Sequence, residues 1–292
     1  MKKFSIVAMF TLLAATVSAQ EISPLLEDLN GQIASQGLNL QIQKMEYIVE
    51  FDANGDQMGR TVFADDRTKL LASQWVEADA RRLNDGNNLT YLVDPRFVLA
   101  NGAIDSEPSI DASFETWNNV NCSKLNLVKR PWPGVETNFV LGLFFGFPAD
   151  PFAADITTTG FLPGFVFDLL APNGSQSILG VTFTLIFVDG NGDPTDLNGD
   201  GRNDTALKEV WYNDAFLWST DGSPGIDLES VAVHENGHAL GFDHFGTIFV
   251  NEGGLHVASD SVMLASYLGP QRTLLGTDNA SMCSVYANWP NK

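Results

Sequence analysis

The segment His234-Glu235-Asn236-Gly237-His238-Ala239-Leu240-Gly241-Phe242-Asp243-His244 gathers three of the chain's four histidines. Residues four apart on a helix share a face, so His234 and His238 can offer imidazole nitrogens to a single metal ion. Glu235 then lies beside the first ligand, placed to take a proton from water on that metal. Gly241 lacks a Cβ and can end the helix at positive φ, which brings His244 round as a third ligand. Three protein ligands leave a coordination position open, as in a catalytic rather than a structural zinc site. Zinc in such a site lowers the pKa of its water to about 7 and polarises a carbonyl, so hydrolysis needs no covalent intermediate. H-E-x-x-H alone arises by chance in helices; the third histidine and the glycine at the turn make this match specific. The fourth histidine, His256, reads as an ordinary surface or loop residue.

A second cluster lies upstream, in the acidic and glycine-rich stretch from Asp189 to Asp204. Read from Asp196 it gives D-x-N-x-D-G-x-x-D. Oxygen side chains from Asp196, Asn198 and Asp200, the Arg202 carbonyl and Asp204 are the donors a calcium loop uses. Position 12 is Leu207 rather than a bidentate Glu, so this is not a full EF-hand. A solvated Asp/Asn/Gly turn is the competing reading. The shorter Asp52-Ala53-Asn54-Gly55-Asp56 reads as a turn.

Elements to carry these residues follow from periodicity. Asp227 is an N-cap candidate for the histidine helix. Ile110, Phe114 and Trp117 predict an amphipathic helix over 109–120, and another is expected over about 277–287. Strands are expected at 45–51, 89–94, 181–188 and 208–212, and a helical start near Ile22, Leu25, Leu26 and Leu29. The turn Asn84-Asp85-Gly86-Asn87 suggests a boundary, giving residues 20–87 as an N-terminal extension or prodomain and 88–292 as the main domain.

Composition sets the class. The chain has 292 residues, 44% hydrophobic and 18% charged, with a net charge of -20. That balance suits a globular protein and argues against nucleic acid as a partner. Lys2 and Lys3, the apolar run Phe4–Val17 and Val17-Ser18-Ala19 have the layout of a secretory signal peptide over residues 1–19, so the protein is expected to be secreted. No later run is long enough to span a bilayer. In an exported protein Cys122 and Cys283 are expected to pair. The alternative is a thiolate capping the zinc in a latent form.

The histidine segment resembles the metzincin clan of metalloproteases, most of all its matrixin branch. Met263 in Ser261-Val262-Met263 stands where that clan has its Met-turn, with Tyr267 four residues on; Asp243 before the third histidine also matches. The resemblance covers roughly residues 88–290. It implies an α+β fold: a mixed twisted sheet, an active-site helix, a Met-turn and a C-terminal helix. It further implies a zinc endopeptidase acting on protein or peptide substrates, with His234, His238 and His244 on zinc and Glu235 as general base. Phe245 departs from the branch's usual Ser or Thr, residues 157–177 have no clear counterpart, and residues 20–87 contain no cysteine-switch segment. Competing readings are an inactive, calcium-dependent surface or adhesion protein with a vestigial zinc site, and a zinc hydrolase acting on something other than protein.

Overall fold

The computed structural model describes residues 23–51, 58–64, 73–82, 87–97, 99–100, 104–221, 224–251, 254–258 and 260–290. The stretch 1–19 read as a signal peptide, the turn expected at 52–56 and most of that at 84–87 lie outside the described residues. Among the described residues no helix is long and apolar enough to cross a membrane.

The fold is α+β. Helix α1 (Pro24–Ser35) is followed by strands β1 (Leu40–Glu50), β2 (Arg60–Phe63), β3 (Ser73–Gln74), β4 (Leu89–Val93), β5 (Leu99–Ala100) and β6 (Ile104–Asp105). Then come α2 (Glu107–Asn118), β7 (Leu127–Lys129), α3 (Phe139–Phe145), β8 (Ile156–Leu162), α4 (Gly164–Asp168) and α5 (Gly174–Ser177). The long strands β9 (Ile178–Phe187) and β10 (Asn203–Asn213) lead through β11 (Trp218–Ser219) and β12 (Ile226–Asp227) into α6 (Leu228–Ala239). A hairpin of β13 (Thr247–Asn251) and β14 (Gly254–Ala258), then β15 (Ser266–Tyr267) and α7 (Gly276–Tyr286), complete the order.

The main sheet is mixed, in the order β15-β1-β9-β10-β8-β4-β7, with β2 beside β1 and β3 beside β10. Strands β10, β8, β4 and β7 are mutually parallel, whereas β9 runs antiparallel to both β1 and β10. Every residue of β9 and β10 is buried, because both faces of the sheet are covered. In β9, Val181, Phe183, Leu185 and Phe187 join one apolar cluster with α1, α3 and α4. Successive residues of a strand point to opposite faces, which turns Thr182 and Thr184 toward α6. The other cluster joins α2, α6 and α7 through Phe114, Trp117, Val231 and Tyr286.

The helices expected over 109–120, from Asp227 and over 277–287 are present as α2, α6 and α7. The strand expected at 45–51 begins earlier, at Leu40, and runs inside the sheet between β15 and β9, although it belongs to the stretch read as an N-terminal extension. The reason is packing: ten of its eleven residues are buried or half-buried, so it needs a covered position. Residues 157–177, without a counterpart in the resemblance, hold most of β8, together with all of α4 and α5. Cys122 and Cys283 are joined in a disulfide, tying the segment that follows α2 to α7 with their Cα atoms 5.4 Å apart.

Candidate metal centre

Helix α6 begins where the sequence places its cap: Asp227 Oδ1 accepts the Ser230 N–H at 2.9 Å, and Arg272 Nε holds the same carboxylate at 3.0 Å. Its end is a Schellman turn, with Gly241 at φ 93°, Gly241 N donating to His238 O and Phe242 N donating to Gly237 O at 3.0 Å. The last carbonyls of a helix lack intrahelical donors. Here three distant side chains supply them: Lys208 Nζ to His238 O, Trp75 Nε1 to Ala239 O and Tyr286 Oη to Leu240 O. The helix is thus fixed at both ends, and its eleven residues from Ser230 to Leu240 are buried.

The sharp turn brings the three histidines together. His238 Nε2 lies 3.0 Å from His234 Nε2 and 3.2 Å from His244 Nε2. Zinc–nitrogen bonds of about 2.0–2.1 Å in a tetrahedron place ligand nitrogens about 3.3–3.4 Å apart, close to this spacing. The opposite ring nitrogens have their own partners: His234 Nδ1 meets Val262 O at 2.7 Å and His238 Nδ1 meets Phe242 O at 2.7 Å. A carbonyl requires a donor, so both rings carry their proton on Nδ1 and turn an unprotonated Nε2 inward, as metal-ligating histidines do. His244 Nδ1 faces Thr61 Oγ1 at 3.5 Å. Burial pushes the pKa of all three histidines below the usual value, and their mutual proximity adds to this for His234 and His238. Among the described residues this is the one cluster of His, Cys, Asp or Glu side chains that could hold a metal ion.

Glu235 is fully buried beside them. Thr182 Oγ1 donates to Oε2 at 2.6 Å, and Oε1 has no hydrogen-bond partner. Burial raises its pKa well above the usual value, and the nearby Glu46 adds to the rise. Gly180 on β9 makes room for it: a Cβ there would lie 3.0 Å from Glu235 Oε1.

Below α6, Met263 packs against Gly237, where a Cβ would fall 2.2 Å from the Met263 Sδ and 2.9 Å from Trp117 Cζ2. The turn that carries Met263 is pinned by Asp278, which accepts from Ser261 Oγ at 2.5 Å and from Val262 N at 3.2 Å. Tyr267 Oη accepts the Asp227 N–H, and Phe245 N donates to Met263 O. Several of these residues carry no signal in the linear motif: Gly180, Thr182, Lys44, Glu46 and Lys208. Charges inside strands are the one visible hint, since Lys44, Glu46 and Lys208 are charged residues within buried strands.

The acidic loop is arranged differently. Asp196 Oδ1 and Oδ2 accept the amides of Asp200 and Gly201 at 3.0 and 2.9 Å, and Asp200 Oδ1 accepts that of Arg202 at 2.9 Å. Asn198 Nδ2 reaches Asp200 Oδ2 at 3.3 Å. Asp204 is buried apart from them, paired with Arg81 at 2.6 Å and accepting the Leu197 N–H, while the Arg202 side chain turns to Gln74. His256 sits on β14 opposite Phe249, away from the other histidines.

The histidines of α6 and its turn therefore form a cluster that could hold a metal ion, with His234 and His238 buried, His244 half-buried and a carboxylate beside them. Neither a scan against protein-family models nor a search of curated proteins finds a match to this chain.

Proposed function

We propose that the chain is a secreted, zinc-dependent endopeptidase of the metzincin type. The observation that carries this reading is the convergence of three Nε2 atoms next to a buried carboxylate with a free oxygen. Three neutral imidazoles suit zinc, and the donor set leaves room for a further ligand. Zinc held there supplies Lewis acidity, acidifying water and polarising a carbonyl. Glu235 supplies the proton transfer: Thr182 fixes one oxygen, and the other takes a proton from the attacking water and passes it to the leaving amine.

The resemblance to the metzincin clan gains support from Met263 beneath α6, from the glycine turn before His244 and from the mixed sheet above the helix. Export is part of the same reading, resting on the N-terminal apolar run together with the disulfide. The substrate is a protein or peptide. The large negative charge disfavours nucleic acid.

The two roles separate by mutation. Glu235→Ala leaves all three histidines, so zinc content stays near that of wild type while peptide cleavage falls by about 10²–10⁴. His238→Ala removes a ligand, so zinc and cleavage are lost together. Metal analysis with cleavage of a peptide library, with and without chelator, checks both. Undiminished cleavage by Glu235→Ala would falsify the mechanism.

A further inference from the structure

Strand β2 sends its side chains to both faces of the sheet. Gly59, just ahead of it, donates its N–H to Ala265 O at 2.8 Å, and a Cβ there would lie 2.3 Å from both Ala265 O and Tyr47 O. That close approach sets β2 against β1, with Arg60 opposite Tyr47 and Thr61 opposite Glu46. Successive residues of a strand alternate between faces. Thr61 turns toward the candidate metal centre, donating to Glu46 at 3.1 Å and lying 3.5 Å from His244 Nδ1. Arg60 is therefore on the other face, beside Tyr47, which belongs to the apolar cluster of α1.

On that face the two residues border a cavity of about 280 Å³, between the β1–β2 pair and the turn from α4 to α5. Val49, Met58 and Pro172 give it apolar walls, and no described residue that lines it is acidic. Its polar side chains are three. Ser177 Oγ donates to Asn173 O at 3.0 Å, so its proton is engaged. Tyr47 is 7% exposed, and its hydroxyl makes no hydrogen bond among the described residues. The Arg60 guanidinium likewise has neither an ion pair nor a hydrogen bond among them. That sets it apart in a chain with 36 acidic residues to 16 basic ones, where Arg81, Arg82, Arg96, Lys129 and Arg272 each sit on a carboxylate. A guanidinium fork beside a second free donor, with no acid in reach, is complementary to a carboxylate brought from outside.

We propose that this cavity binds a small carboxylate with a short apolar tail, its oxygens held by Arg60 and Tyr47 Oη and its tail by Val49, Met58 and Pro172. The cavity stands at the lower end of the size range of small-molecule sites, which keeps the ligand small. The sheet separates it from the histidines, so its ligand is independent of the peptidase reading.

The test uses the full chain with zinc and saturating acetohydroxamate, so that carboxylate binding at the metal is not counted. Calorimetric titration with hexanoate should give one site, and hexanol and hexylamine should bind at least about tenfold more weakly. Arg60→Gln should weaken hexanoate by about tenfold or more, the factor that loss of a charge-assisted hydrogen bond gives. Its melting temperature should match wild type, because Arg60 is exposed and unpaired. Tyr47→Phe should weaken hexanoate less, in the same direction. A tripeptide ending in leucine with a free carboxyl group offers the same chemistry from another source. Tighter binding of hexanoate upholds a small-molecule site, and tighter binding of the tripeptide upholds the same carboxylate contact as capture of a chain end. No binding of either, or equal hexanoate affinity in wild type and Arg60→Gln, would overturn the proposal, as would hexanol binding as well as hexanoate.

Discussion

The histidine cluster and the acidic loop both present metal-ligand side chains, and they differ in what holds those side chains. His234 is oriented by Val262 O, 28 residues on, and His244 faces Thr61, 183 residues back in the chain. The Nε2 atoms of the cluster converge at about van der Waals distance, those of His234 and His238 unprotonated, where a cation would relieve the repulsion of their lone pairs. In the loop, Asp196 and Asp200 accept amides no more than five residues away and face solvent. Those lone pairs are already engaged, and water competes for the rest. A site assembled from outside is ready for its ion before the ion arrives. A site assembled from its own backbone must be reshaped by it.

The largest consequence is for metal-linked stability. On the zinc reading, the ion should bind the folded arrangement and raise stability by about 4 kcal/mol at a thousandfold excess over its dissociation constant. Denaturation of metal-free protein with and without zinc measures this, and His238→Ala should abolish the gain. If zinc left the midpoint of wild type unchanged, the site would not be prearranged and the contrast with the loop would collapse.

A smaller effect tests the support beneath the cluster. Gly237→Ala places a methyl group 2.2 Å from the Met263 Sδ, so α6 or the Met263 turn must shift. Overpacking of this kind costs about 1–3 kcal/mol. Adding Met263→Ala removes the clash with the thioether and leaves the one with Trp117 Cζ2 at 2.9 Å, so the double variant should be more stable than the two single losses summed predict. Additive losses would mean that the glycine is not there to admit the methionine.

How much of this was legible beforehand follows the range of the interactions. The histidine helix, its Asp227 cap and its glycine turn are local, and each was visible in the linear spacing. The alternation Val181-Thr182-Phe183-Thr184 marked a strand, but that its Thr face meets Glu235 depends on the strand's place above α6. Nothing local shows that β1 pairs with β9, some 140 residues later, and so reaches the site. The Phe- and Leu-rich runs of α3 and α4 likewise lack a polar period, because one side packs on the sheet and Phe145 and Phe165 remain exposed on the other.

The loop should show the weakest response, and its direction discriminates between the two readings of Asp196 to Asp204. Calcium in extracellular modules binds with dissociation constants of about 10⁻⁴–10⁻³ M, so 1 mM calcium adds about 0.4–1.4 kcal/mol to stability. Binding requires Asp196 and Asp200 to exchange amide partners for the ion, which places the loop toward the lower figure. Asp204 stays with Arg81, whose guanidinium also holds Asp79 at 2.7 Å, and it serves as an anchor rather than a ligand unless that pair opens. Asp196→Ala with Asp200→Ala should therefore remove the calcium response and leave the zinc response intact. Thermal melts in calcium, with magnesium as the control, read this directly. A midpoint that does not move with calcium in wild type leaves the loop as a solvated turn, and the histidine cluster as the one candidate metal site among the described residues.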